Sequence, residues 1–281
     1  MTMDRVRVDA PAKLTLTLRV LGTRPDGFHE LEALTVMISS PCDTVVIDSA
    51  PPGVVEFTLS GGTPDVPRDD TNLVVRAARA VLPQDAGVSL SLIKRVPSGA
   101  GLGGGSADAA AVLRVLADRY VLDDQAVVGA AAGLGSDVPV CLSGVPVMMR
   151  GRGELLEPVQ FTGDLHVVVA KPPFSLATPA VFRAWDELGG PRSDRVLAAP
   201  VAVRHLVEGL VNDLEPAAEH VAPGLREFRS RLEAVAGQAA LLAGSGSSYW
   251  IPVTDAIAAS AIAARISTEL KIETFAGHAL R

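Results

Sequence analysis

Between residues 97 and 110 the chain reads PSGAGLGGGSADAA, with five glycines and three small residues set between a strand-like run and an alanine-rich one. Phosphate oxygens can approach backbone N–H groups closely only where side chains are absent, and the start of a helix adds unpaired donors and a favourable dipole. A tight strand-to-helix turn needs one or two glycines rather than five, so an anion site is a more economical reading than a turn or a linker. Gly99, Gly101 and Gly104 match the GxGxxG spacing of dinucleotide folds. Pro97-Ser98 nevertheless intervenes after the strand, and the first hundred residues read as β-rich with one helix rather than as a βαβ unit. The P-loop pattern would place lysine where Gly105 stands, immediately before Ser106.

The rest of the composition narrows the partners. Of 281 residues, 48% are hydrophobic and 20% charged, enough apolar surface for a sizeable core. The 32 acids against 25 bases give a formal charge of −7 and no basic block for nucleic acid. No apolar run approaches the ~18 residues of a membrane helix. The start, Met1-Thr2-Met3-Asp4-Arg5, lacks a secretory pattern, so a cytoplasmic protein is expected. Cys42 and Cys141 form no CxxC pattern and are expected as buried thiols. The histidines at 29, 166, 205, 220 and 278 lack metal-ligand spacing.

Alternation predicts a strand over residues 13–20, with Lys13, Thr15, Thr17 and Arg19 on an available face and Leu14, Leu16, Leu18 and Val20 in the core. Arg24-Pro25-Asp26-Gly27 predicts a turn. Strand sequence follows at 45–47 and 54–59, then a loop over 61–70. Thr71 is the expected cap of a helix ending before Pro83. A strand at 88–93 and a buried helix over 107–117 flank the glycine segment. The pattern changes near 159–163, ahead of a strand at 166–170, which suggests two lobes, 1–160 and 161–281. In the second, Thr178 caps a helix with Pro179 at its first position and Gly189-Gly190 as its stop. Helices are expected at 223–235 and 254–270, with a strand, small-residue turn and strand over 241–250.

The segment from Pro97 resembles the phosphate motif of the GHMP kinases, Pro-x-Gly-x-Gly-Leu-Gly-Ser/Gly-Ser-Ser/Ala. Three further segments, APAKL from Ala10, RPDGFHEL from Arg24 and GLGSDVP from Gly133, resemble the branch of that family that phosphorylates a cytidine-diphosphate polyol on the methylerythritol phosphate route to isoprenoids. The resemblance runs nearly the full chain. It implies an α+β, two-lobed fold with an N-terminal, ribosomal S5-like lobe that binds ATP and a C-terminal, ferredoxin-like substrate lobe. It also implies a cytoplasmic enzyme, monomer or homodimer, that uses ATP as its magnesium complex.

On that resemblance Pro97, Ser98, Gly99, Ala100, Gly101, Leu102, Gly103, Gly104, Gly105 and Ser106 wrap the ATP phosphates, and Ser106 either reaches magnesium or caps the helix. Asn72 and Lys94 match positions near the adenine, although Lys94 also fits a charged strand end. Asp137 orients or deprotonates the accepting hydroxyl and Lys13 offsets charge on the γ-phosphoryl; a loop acid at a helix start and a solvated strand face are the plain readings of the two. Phe28 and His29 match the pair that grips the cytosine by stacking and edge hydrogen bonds. Thr178 and Phe182 match substrate-side positions, and a helix cap and a core aromatic also account for them. Thr15 stands where the family usually has asparagine, and Phe28 where tyrosine is common. Homoserine or mevalonate-pathway kinases are the nearest rivals, ahead of a silent nucleotide-binding relative.

Overall fold

The computed structural model describes residues 4–190, 201–202 and 209–281; Met1–Met3 and His205 lie outside them. The protein is mixed α+β and divides into two compact units that interleave in sequence. One holds Met1–Lys13, Pro41–Ser98 and Gly103–Gly144; the other holds Leu14–Ser40, Gly99–Leu102 and Val145–Arg281, so the pattern change near 159–163 falls inside it. Strands β1 (Val6–Thr23) and β2 (His29–Ser49) pair with each other, and each contributes residues to both units. Among the described residues no helix is long and apolar enough to cross a membrane.

In the first unit, the C-terminal half of β2 pairs antiparallel with β4 (Val88–Lys94), and β4 pairs parallel with β3 (Val55–Gly61). Helix α1 (Leu73–Val81) joins the two parallel strands, which makes β3-α1-β4 the βαβ crossover that the β-rich reading of this region missed. The sheet is mixed through β2, unlike a doubly wound parallel sheet. On β4, Val88, Leu90, Leu92 and Lys94 are buried and alternate with half-buried residues, the signature of one packed face. Helices α2 (Gly104–Tyr120), α3 (Asp124–Leu134) and α4 (Val138–Ser143) complete the unit. Alanines 107, 109, 110 and 111 are buried and let α2 lie close against α1 and α4.

In the second unit, the N-terminal half of β2 pairs with β5 (Val147–Gly151), which forms a hairpin with β6 (Leu155–Pro158). Short strands β7 (Phe161–Thr162) and β9 (Val201–Ala202) pair in parallel. A separate antiparallel sheet has the order β10-β11-β8-β12, from Leu241–Leu242, Tyr249–Val253, His166–Lys171 and Glu273–His278. Residues 167–170 of β8 are buried on both faces, as a central strand requires. The helices among the described residues of this unit include α5 (Thr178–Glu187), α6 (Glu215–Val221), α7 (Gly224–Ala236) and α8 (Ala256–Leu270).

Several expectations are corrected. The polar face of β1 is not open: Lys13, Thr15 and Thr17 are as buried as their apolar neighbours, because the strand is covered on both sides. Asn72, not Thr71, caps α1, its Oδ1 accepting from Val74 N at 3.0 Å. Thr178 does not cap α5; Ala177 occupies the cap position, and Thr178 already has helical geometry beside Pro179. Cys141 is buried as expected, whereas Cys42 is only half-buried.

Candidate active site

The glycine segment is shorter as a loop than its composition suggests. Helix α2 begins at Gly104, so Gly104, Gly105 and Ser106 form its first turn. Gly103 occupies the cap position in the left-handed region, and among the described residues no side-chain capping hydrogen bond is made at this helix start, by Ser106 or any other. The first-turn N–H groups are therefore not served by a capping side chain, the condition under which a helix start receives an anion. Ser98 Oγ donates to Asp65 Oδ2 at 2.8 Å and lies 2.6 Å from Thr63 Oγ1, which ties the residue after Pro97 to the 61–70 loop.

The other glycines of the segment serve close backbone packing within the second unit. A side chain on Gly101, at φ +77°, would start 2.3 Å from the Ala243 carbonyl oxygen, and one on Gly99 would start 2.7 Å from Ser175 Cβ. Ala100 and Leu102 between them are buried, and the Ala100 carbonyl accepts from Ser248 N at 3.2 Å. Part of the glycine excess is thus a packing requirement, which composition alone does not separate from phosphate access.

Lys13 and Asp137 are brought together. Lys13 Nζ lies 3.3 Å from Asp137 Oδ2, with side chains 9% and 34% exposed. The lysine is held by its place on a buried strand. Asp137 precedes α4 but makes no capping hydrogen bond to it, so its carboxylate is not consumed by the helix. Gly103 adjoins the pair: a Cβ there would start 2.6 Å from Lys13 Cγ. A cation, a carboxylate and an uncapped helix start therefore share one corner of this unit.

Asn72 and Lys94 have other engagements. Asn72 is buried, capping α1 with Oδ1 and donating Nδ2–H to the Pro67 carbonyl at 2.8 Å. Lys94 is no exposed strand end; its ammonium is buried between the carboxylates of Asp43 and Asp108.

In the second unit, Gly27 closes the expected turn at φ +82°, its N–H donating to the Arg24 carbonyl at 3.0 Å. Phe28 and His29 then face different neighbours. Phe28 is 53% exposed, with the Arg152 guanidinium 4.8 Å above its ring. His29 stacks on Phe182 at 4.8 Å and 28°, meets Trp185 edge-on at 5.4 Å, and has Nε2 2.9 Å from Asp186 Oδ1. Phe182 is half-buried rather than a core aromatic. The Thr178 hydroxyl lies 2.7 Å from Ser245 Oγ. Thr15 is buried, 3.3 Å from the Thr35 hydroxyl.

Sequence reasoning missed Asp186, Trp185 and Arg152 here, and Asp43 and Asp108 in the first unit. Trp185 and Asp186 fall three and four residues after Phe182, the spacing that shares a helix face. Asp108 carried a signal too, a carboxylate inside an alanine-rich buried helix.

The match to known proteins extends well beyond this constellation. Residues 72–145 match the GHMP kinases N terminal domain. Along its length, the chain is 40% identical over 280 residues to 4-diphosphocytidyl-2-C-methyl-D-erythritol kinase of Methylorubrum extorquens, covering 95% of this chain and 96% of that one. The chain belongs to the 4-diphosphocytidyl-2-C-methyl-D-erythritol kinase family. The Paracoccus denitrificans member of that family is 38% identical, with 93% and 92% of the two chains covered. A crystal structure of 4-(cytidine 5'-diphospho)-2C-methyl-D-erythritol kinase superposes with a TM-score of 0.82 at 33% identity, covering 97% of this chain and 98% of that one. A homoserine kinase from Cytophaga hutchinsonii, at 18% identity and a TM-score of 0.69 over 99% and 95% of the chains, shares the fold.

Proposed function

We propose that this enzyme transfers the γ-phosphoryl group of ATP to the 2-hydroxyl of 4-diphosphocytidyl-2-C-methyl-D-erythritol, in isoprenoid precursor biosynthesis. The observation that carries the chemistry is the Lys13–Asp137 pair beside the uncapped start of α2. Phosphoryl transfer passes through a loose transition state, so positioning and charge stabilisation outweigh strong proton abstraction. Asp137 orients the accepting hydroxyl and takes its proton as the O–P bond forms and the ADP oxygen leaves. Lys13 steadies that carboxylate and offsets charge gathering on the phosphoryl oxygens.

ATP fits the first unit through the N–H groups of Gly104, Gly105 and Ser106, where no side chain among the described residues makes a capping hydrogen bond. Magnesium would come with the nucleotide, held by the Ser106 hydroxyl in the first turn of α2, and would offset charge on the phosphates. Among the described residues no cluster of three or more His, Cys, Asp or Glu is arranged to hold a metal by itself. In the second unit, His29, held between Phe182, Trp185 and Asp186, reads the cytosine, and Phe28 offers an exposed ring for stacking. The Thr178 hydroxyl serves the same substrate.

The test is ATP consumption by purified protein across a panel of alcohols. Turnover is expected with 4-diphosphocytidyl-2-C-methyl-D-erythritol and not with homoserine, mevalonate or galactose. Robust turnover of any of those three, with none of the cytidine compound, overturns the assignment.

A further inference from the structure

Lys94 at the end of β4, Asp43 on β2 and Asp108 on α2 form a buried triad, with side-chain exposures of 4%, 0% and 2%. Asp43 uses both carboxylate oxygens. Oδ1 accepts the backbone N–H of Arg95 and, at 2.8 Å, that of Val96; Oδ2 accepts from Lys94 Nζ. The same ammonium donates across to Asp108 Oδ2 at 2.8 Å. A Cβ on Gly104 would lie 3.0 Å from Lys94 Nζ and 2.8 Å from Val96 Cγ1, so the ammonium sits against the first residue of α2.

Two acids around one base are an expensive way to fill space. Apolar residues of similar volume would serve packing as well or better, because burying charge costs several kcal/mol per ion before any attraction is recovered. The balance here is also imperfect. Among the described residues Asp108 Oδ1 is buried without a hydrogen-bond partner, and burial pushes the Asp108 carboxyl well above the usual range against the pull of Lys94. Burial works to lower the Lys94 ammonium, but Asp108 and Asp43 outweigh it and leave it raised. What the triad supplies is geometry. It joins the backbone leaving β4, at Arg95 and Val96, to the first two turns of α2, whose N–H groups are the proposed phosphate donors.

We propose that Asp108, acting through Lys94 and Asp43, is a positioning residue for ATP that fixes the first turn of α2 relative to the end of β4. The inference rests on the ATP reading above. In Asp108→Ala the strut to α2 is cut while Asp43 and Lys94 remain as a balanced pair, so the chain folds with its thermal midpoint close to that of the unaltered protein. Its Kd for ATP by calorimetry rises about tenfold or more, as expected where donors lose their aim. Its Kd for the cytidine substrate stays within about twofold. Asp108→Asn keeps an acceptor for Lys94 and restores most of the ATP affinity.

An unchanged ATP Kd in Asp108→Ala, beside normal binding by the unaltered chain, overturns the inference alone. So does an equal loss of affinity for both ligands, or an Asp108→Ala chain that fails to fold while Asp108→Asn folds and binds ATP normally. Absence of ATP binding by the unaltered chain removes the reading beneath it and the inference together.

Discussion

Lys13 Nζ stands 3.3 Å from Asp137 Oδ2, a buried-strand lysine paired with a carboxylate that is one-third exposed. One partner is fixed and the other can meet a substrate. Asp137→Asn keeps the shape and removes the charge, so turnover should fall by ~10²–10⁴ with substrate affinity nearly unchanged. Lys13→Met should behave alike. If the two act as one unit, the double variant is less impaired than the product of the single losses. Steady-state kinetics of the four proteins check this; strictly multiplicative losses would mean independent roles, and near-normal turnover of Asp137→Asn would remove it from the mechanism.

The two thiols lie outside this chemistry and should be inert. Burial pushes the Cys42 thiol up to about 11, helped by Asp9, and pushes Cys141 up to about 12, helped by Asp137. A raised thiol pKa lowers the thiolate fraction, and at pH 8 a value near 11 leaves about one part in a thousand as the reactive form. Iodoacetamide at pH 8 should therefore leave the native enzyme active and unlabelled, and modify both cysteines once the chain is unfolded. Rapid labelling of the folded protein at either position would contradict the raised thiol pKa.

Local chemistry made much of this molecule readable. The turn at Gly27, the strand at 88–93, the buried alanine helix and the stops at Gly189 and Gly190 all follow from backbone preference and apolar spacing. Motif likeness brought Lys13 and Asp137 to the same page although 124 positions separate them, and the structure puts them in contact. What stayed hidden depends on tertiary cover. The alternation of β1 does not reveal that its polar face is buried as well, because period two marks two faces without saying what lies over each. The glycines at 99 and 101 look like phosphate access in sequence, while their tight approach to Ser175 and Ala243 exists only once distant segments pack. Asp43 and Asp108 are 65 positions apart and are brought together around the Lys94 ammonium.

In the second unit, His29 is held by Asp186 at Nε2 and stacked on Phe182. Phe182→Ala should remove the ring that supports this imidazole and weaken the cytidine substrate by roughly two- to twelvefold, the range for one aromatic pair. ATP affinity should be unchanged. Calorimetry with each ligand in turn checks it, and a parallel loss of ATP binding would show that Phe182 acts on the fold rather than on the base.

The last prediction contrasts two glycines two positions apart. Gly103 has φ +63°, and a side chain there would start 2.6 Å from Lys13 Cγ, so Gly103→Ala strains the backbone and displaces the lysine stem together. Gly105 lies in the first turn of α2, and a methyl there would meet only Leu73 Cδ1, at an ordinary 3.5 Å. Gly105→Ala should raise stability by about 0.5–1 kcal/mol, since alanine loses less backbone entropy in a helix, and its added methyl points towards α1 rather than along the helix N–H direction. Thermal unfolding and steady-state kinetics of both variants distinguish the roles. The expected pattern is a lower midpoint and a marked loss of turnover for Gly103→Ala, against a raised midpoint and near-normal kinetics for Gly105→Ala. If Gly105→Ala instead loses ATP affinity without losing stability, the phosphates approach that face of the helix and the donor assignment in the first turn must be redrawn around it.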